Sequence, residues 1–155
     1  MNIKARKLTE LDNAVKSHES QMWIGKFMVF GVKMEVPENE IGVGDRNCGF
    51  GRWLAMNYDW LAQFYGEELI EGIEVLHRHW HIENAKIVEL YRKGEKSGII
   101  GRFMKSKSIG RGDIDKAKAY FVEAEKLSER LLENMTKLRI RIEATAAYRL
   151  EEYFG

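Results

Sequence analysis

EELIEGIEVLHRHWHIENAKIVELYR, residues 67–92, is the stretch on which the reading of this chain turns. Ile70, Ile73, Leu76, His77, Trp80, His81 and Val88 recur at three- and four-residue steps, the spacing of one face of an α-helix. Gly94 stands just beyond as a stop signal. His77 and His81 are four apart, so their side chains lie one turn above the other on that face. Two imidazoles placed this way can grip one metal ion from a rigid backbone. Position 78 is Arg, so the general base of a helical His-Glu-x-x-His protease is missing. His79 lies two positions off the pair and reads as a surface or interface residue.

Working outward, the same period appears on both sides. Leu8, Leu11, Val15, His18 and Met22 place a first helix over about residues 5–31 and turn His18 inward with the apolar residues. A loop, MEVPENEIGVGDRN, follows, with weak alternation over Val29–Val36. Arg52–Phe64 reads as a second helix packing through Trp53, Leu54, Met56, Trp60, Leu61 and Phe64, with Gly66 as its end. Residues 94–112 read as a basic connector with a short helical turn around Ile99–Met104. Asp113 is a good N-cap for a last helix running to about Tyr153, with Ile114, Ala117, Phe121, Ala124, Leu127, Leu131, Met135, Leu138 and Ile142 as its stripe. At 1.5 Å per residue that helix would reach about 60 Å. It outruns its neighbours, so its second half is expected to pack on another chain or protrude. The fold class is therefore all-α, an antiparallel four-helix-type bundle with a long C-terminal helix, read as one domain over residues 1–155.

Composition bounds the function. The chain has 155 residues, 45% hydrophobic and 32% charged, an ordinary balance for a globular domain with a real core. A net charge of +1 gives no global electrostatic case for nucleic acid or an anionic membrane. No apolar run approaches the roughly 18 residues that span a bilayer. The start, MNIKARKLTELDNAVK, is polar and amphipathic and does not read as a signal peptide. With a single cysteine no internal disulfide forms, and a reducing cytoplasm is the expected location.

That cysteine stands in Asn47-Cys48-Gly49-Phe50-Gly51-Arg52-Trp53-Leu54, just ahead of the second helix. The partial positive charge of a helix N-terminus favours the thiolate, the form that binds metal. An inward His18, Cys48 and the His77/His81 pair together offer three imidazole nitrogens and one sulfur. Tetrahedral N/S coordination is what Zn2+ takes in closed sites. Cu(I) is a softer competitor, and ferrous iron lies below zinc in intrinsic affinity. Each residue alone has an ordinary reading as core; inward groups on separate segments turn the balance toward metal. Asp45, three before Cys48, is a turn residue that could also approach the thiol. Trp23, Trp53, Trp60 and Trp80 read as core, and could keep water from the metal shell.

His18 with Trp23, then Cys48-Gly-Phe-Gly-Arg-Trp-Leu, then His77 and His81, resembles the CZB domain, the chemoreceptor zinc-binding domain of bacteria. The resemblance covers about residues 14–90, a family-like core of about 14–92, and the cysteine block is its most specific part. It implies zinc ligands at His18, Cys48, His77 and His81, a helical bundle, a two-fold homodimer and a cytoplasmic sensory role. Members of that family regulate chemoreceptors or diguanylate cyclases; some respond to zinc, others to oxidation of the zinc-bound cysteine by hypochlorous acid. They usually carry an output module, for which these residues leave no room. A separate signalling protein of a chemotaxis or cyclic-di-GMP system is therefore the expected partner, unless the long last helix transmits.

Two other chemistries compete. A zinc hydrolase would use His18, His77 and His81 as ligands, with an open water position, if Cys48 points elsewhere. No motif places its general base, so the chain reads as a non-enzyme. A hemerythrin-like di-iron bundle needs about five His, and the chain has four. The charged face of the last helix and the basic connector read as solvated surfaces.

Overall fold

The ends of the helices follow from local chemistry. The computed structural model describes residues 2–32, 38–94 and 109–155. α1 spans Ile3–Phe30, with the Asn2 side chain accepting from the Ala5 amide at its start. Gly31, in the left-handed conformation at φ 69°, closes it with amide bonds back to the last turn. α2 spans Gly49–Tyr65 and stops at Gly66, whose φ of 97° a side chain would resist. α3 spans Glu67–Gly94, and α4 spans Arg111–Ala144. α5 spans Ala147–Phe154. A single 3-10 turn, Glu38–Glu40, lies between α1 and α2. Among the described residues there is no strand.

Two apolar clusters fill the interior. The lower one takes Leu11 and Ala14 of α1, Leu54 and Leu61 of α2, Ile70 and Ile73 of α3, and Leu131 through Ile142 of α4. The upper one takes Ile24 and Met28 of α1, Ile87 and Val88 of α3, and Ala117 and Phe121 of α4. Reading these residues in chain order gives the directions. α1 and α3 run from lower to upper cluster, α4 runs back, and the shorter α2 descends within the lower half. This is the antiparallel four-helix arrangement, with α1 beside α2 and α4, and α3 beside α2 and α4. Ile41, from the stretch ahead of α2, joins the upper cluster.

The last helix departs from expectation. It breaks at Thr145 and Ala146 although neither is Gly or Pro. Thr145 takes an extended conformation, and its Oγ1 donates to the Arg141 carbonyl at 2.8 Å while lying 3.1 Å from the Tyr65 hydroxyl. Lys4 Nζ donates to the Thr145 carbonyl at 2.9 Å and also to that of Glu143. α5 then turns back against α1 and packs Phe154 on Trp60, ring centroids 5.5 Å apart. α4 alone is about 50 Å long at 1.5 Å per residue. Its second half, Leu131, Met135, Leu138 and Ile142, is buried in this chain's own lower cluster. That stripe is covered within the chain, so the second half does not protrude. Asp113 lies in the first turn of α4, and Gly110 is its N-cap.

Two packing expectations also fail. Met56 is 84% exposed and Trp23 52% exposed, whereas Trp60 and Trp80 are core and Trp53 is partly buried. The helical turn at Ile99–Met104, most of the basic connector and the end of the Val29–Val36 alternation fall outside the described residues; Val29 and Phe30 are helical. Among the described residues no helix is long and apolar enough to cross a membrane.

The fold-back makes Leu150, fully buried on α5, an anchor of the lower cluster. Leu150→Ala is expected to cost about 2–5 kcal/mol, the range for a buried leucine truncated in place. A urea midpoint unchanged from wild type would show that α5 does not pack where it is placed here.

Candidate metal centre

The two clusters leave a layer between them, and the polar interior of the protein is gathered there. Of the seven buried polar side chains among the described residues, six occupy it: His18 and Gln21 on α1, His77, His81 and Asn84 on α3, and Ser128 on α4. Cys48, at the top of α2, reaches the same layer.

Within it three ligand atoms converge. His77 Nε2 lies 3.1 Å from His81 Nε2 and 3.2 Å from Cys48 Sγ. The ligand atoms of all three residues fall within 4.8 Å of one another, and all three side chains are buried. Around a tetrahedral ion with Zn–N near 2.05 Å and Zn–S near 2.3 Å, neighbouring donors stand about 3.3–3.6 Å apart. The two contacts of His77 Nε2 are a few tenths of an ångström tighter than such a shell, so an ion there would need small outward shifts. The donor chemistry, imidazole plus sulfur, fits a borderline-soft cation.

The main chain fixes the sulfur. Cys48 is the N-cap of α2: its Sγ accepts the Gly51 amide at 3.2 Å, and its S–H donates to the Asp45 carbonyl at 3.4 Å. Asp45 thus meets the thiol through its backbone, while its carboxylate lies 3.9 Å from Arg78. The glycines of the cysteine block are steric necessities. A Cβ on Gly51 would land on the Asp45 carbonyl and 3.3 Å from His77 Cε1. A Cβ on Gly49 would strike the Ser17 side chain on α1.

His18 is in the layer but outside the three-atom group. Its ring centroid is 6.0 Å from that of His77 and 4.8 Å from that of Trp80. Its Nε2 lies 2.8 Å from Ser128 Oγ, a buried bond to α4. Its Nδ1 is buried without a hydrogen-bond partner. His79 is exposed, as its offset from the pair requires. Trp80 Nε1 donates to Met22 Sδ at 2.6 Å, closing one side of the layer.

Burial governs the protonation states. His77 is pushed down to about 3 by desolvation first, then by His81 and His18. His18 is pushed down to about 4 by burial and then by His81. His81 is also lowered by burial, which outweighs the Val43 carbonyl and the Asp45 carboxylate. The imidazoles are therefore neutral near pH 7, as metal ligation requires. Cys48 differs from the sequence expectation. The Gly51 and Phe50 amides and Arg52 pull its pKa down, but burial is the larger effect and raises it. Without a cation the sulfur stays a thiol near neutrality, and metal uptake must release its proton.

The hydrolase alternative required Cys48 to point away from the imidazoles; it points at His77. Ser128, Gly49 and Gly51 were not read as site residues from sequence. The Gly-x-Gly spacing beside the lone cysteine was the one available signal; Ser128 gave none. The chain matches no protein-family model, and comparison with curated proteins and with solved structures finds no match.

Two outcomes follow. In the metal-free protein, His18 and His77 have pKa values depressed from 6.5, so the stability they permit is complete above that value. It falls as pH drops from about 6.5 toward 4, because the unfolded chain gains protons that the folded one refuses. Each such imidazole contributes up to about 1.4 kcal/mol per pH unit; a flat urea midpoint over that window would contradict the burial described. Gly51→Ala is expected to displace the Asp45–Cys48 turn and to cost about 1–3 kcal/mol, as overpacking does. A crystal structure of that variant with the turn unmoved would refute the steric account.

Proposed function

We propose that the chain is a zinc-dependent sensory or regulatory module of the CZB type. Cys48, His77 and His81 hold the ion and His18 completes the shell. The single observation that carries this reading is the approach of both Cys48 Sγ and His81 Nε2 to His77 Nε2, at 3.2 and 3.1 Å, in a buried layer. The order and spacing of His18, Cys48, His77 and His81 support it. On this reading the protein acts as a cytoplasmic two-fold homodimer and signals to a chemotaxis or cyclic-di-GMP partner rather than catalysing a reaction.

Bound zinc would supply a positive charge that keeps Cys48 as thiolate. The thiolate is the reactive group. With hypochlorous acid, sulfur gives up two electrons, chloride leaves, and Cys–S–OH forms. A sulfenate is a poorer ligand, so Cys48 withdraws while the imidazoles stay in place. Because Cys48 caps α2, its withdrawal frees the Gly51 amide and loosens the first turn of that helix. Zinc scarcity would act on the same residues by emptying the shell.

Protein purified without a histidine tag should contain about one zinc per chain. The cobalt-substituted form should show a thiolate-to-cobalt charge-transfer band that Cys48→Ser abolishes. Hypochlorous acid should release or loosen the metal and change helix packing in wild type only. No bound metal under these conditions removes the reading; an equal response from Cys48→Ser removes its redox half.

A further inference from the structure

Each ligand named above has one ring nitrogen or sulfur in the group except His18, which meets a different partner. Ser128 Oγ, on α4, is 2.8 Å from His18 Nε2, and both residues are buried, at 4% and 1% exposure. Resting on the metal reading, we propose that Ser128 is a positioning residue of the centre. It accepts the Nε2–H of His18, leaves Nδ1 as the nitrogen for the ion, and so ties α4 to metal occupancy.

The argument is one of satisfied atoms. A neutral imidazole has one N–H and one lone pair. Were Nδ1 to carry the hydrogen, a buried N–H would have no acceptor, a state that native proteins rarely tolerate. Were Nε2 to carry it, Ser128 accepts that hydrogen and Nδ1 presents a lone pair. A cation held beside it by Cys48, His77 and His81 would give that lone pair a partner. Metal-bound histidines are commonly held by a hydrogen bond from the other ring nitrogen, which sets tautomer and orientation.

The placement gives the bond a second consequence. α1 supplies His18, α3 supplies the histidine pair, and α2 carries Cys48. Ser128 is the contact through which α4 joins them. His18 lies outside the 4.8 Å group. Its engagement draws the Ser128 bond with it, so filling the centre repositions or stiffens α4 around residues 124–132. Ser128 also borders a pocket of about 240 Å³ between α1 and α4, lined by Met22, Trp23 and Phe121 among others. The space admits one extra methyl group, which makes Ser128→Thr a conservative control.

The test uses the full chain with zinc as the probe. Long-range proton–nitrogen spectra of the metal-free protein should show His18 as the Nε2–H tautomer in wild type and Ser128→Thr, and a mixture in Ser128→Ala. Zinc affinity, by chelator competition, should fall 10- to 100-fold in Ser128→Ala, the usual cost of losing such a partner, and stay within about threefold in Ser128→Thr. Zinc should slow amide exchange at residues 124–132 in wild type and not in Ser128→Ala. An Nδ1–H tautomer in wild type, or unchanged affinity in a folded Ser128→Ala, overturns the proposal. Failure of wild type to take up zinc sinks the metal reading instead, and the tautomer spectra still decide what Ser128 does.

Discussion

Three imidazoles buried in one layer, with no carboxylate among the buried side chains of the described residues to pair with them, is the constraint that the rest of this structure answers to. A neutral imidazole always has a lone pair to satisfy, and burial removes the water that would otherwise meet it. The bundle meets part of that need internally, through Ser128 and through the close approach of His77, His81 and Cys48. It leaves the Nδ1 atoms of His18 and His81 unanswered. The apolar clusters above and below are built from ordinary helical stripes, and the layer between them gathers buried polar groups that could hold a metal ion.

All four long elements contribute to it. The histidine pair comes from a single rigid helix, so its geometry is set before tertiary packing begins. Cys48 is different, because its sulfur belongs to a helix cap and shares the Gly51 amide and the Asp45 carbonyl. A change at the sulfur is thus a change at the first turn of α2. Burial raises the Cys48 pKa and holds the free thiol protonated near neutrality.

The sequence by itself determined the four long helices and the inward faces of α1, α3 and α4, because 3.6-residue periodicity is local and survives in one dimension. It also brought forward His18, Cys48, His77 and His81, and the inward turn of His18 and the pairing on α3 follow from spacing alone. Tertiary structure decided the rest. The break at Thr145 carries no Gly or Pro; it is made by Tyr65 and Lys4, roughly eighty and one hundred and forty residues away. The exposure of Met56 and Trp23 depends on which neighbours cover a face, which no period records. Ser128 looks like any small helical residue until the fold brings it to 2.8 Å from a partner 110 positions away in the chain. Only the packed chain could show that burial outweighs the helix terminus at Cys48, because desolvation is a property of what surrounds a residue and not of its place in the chain.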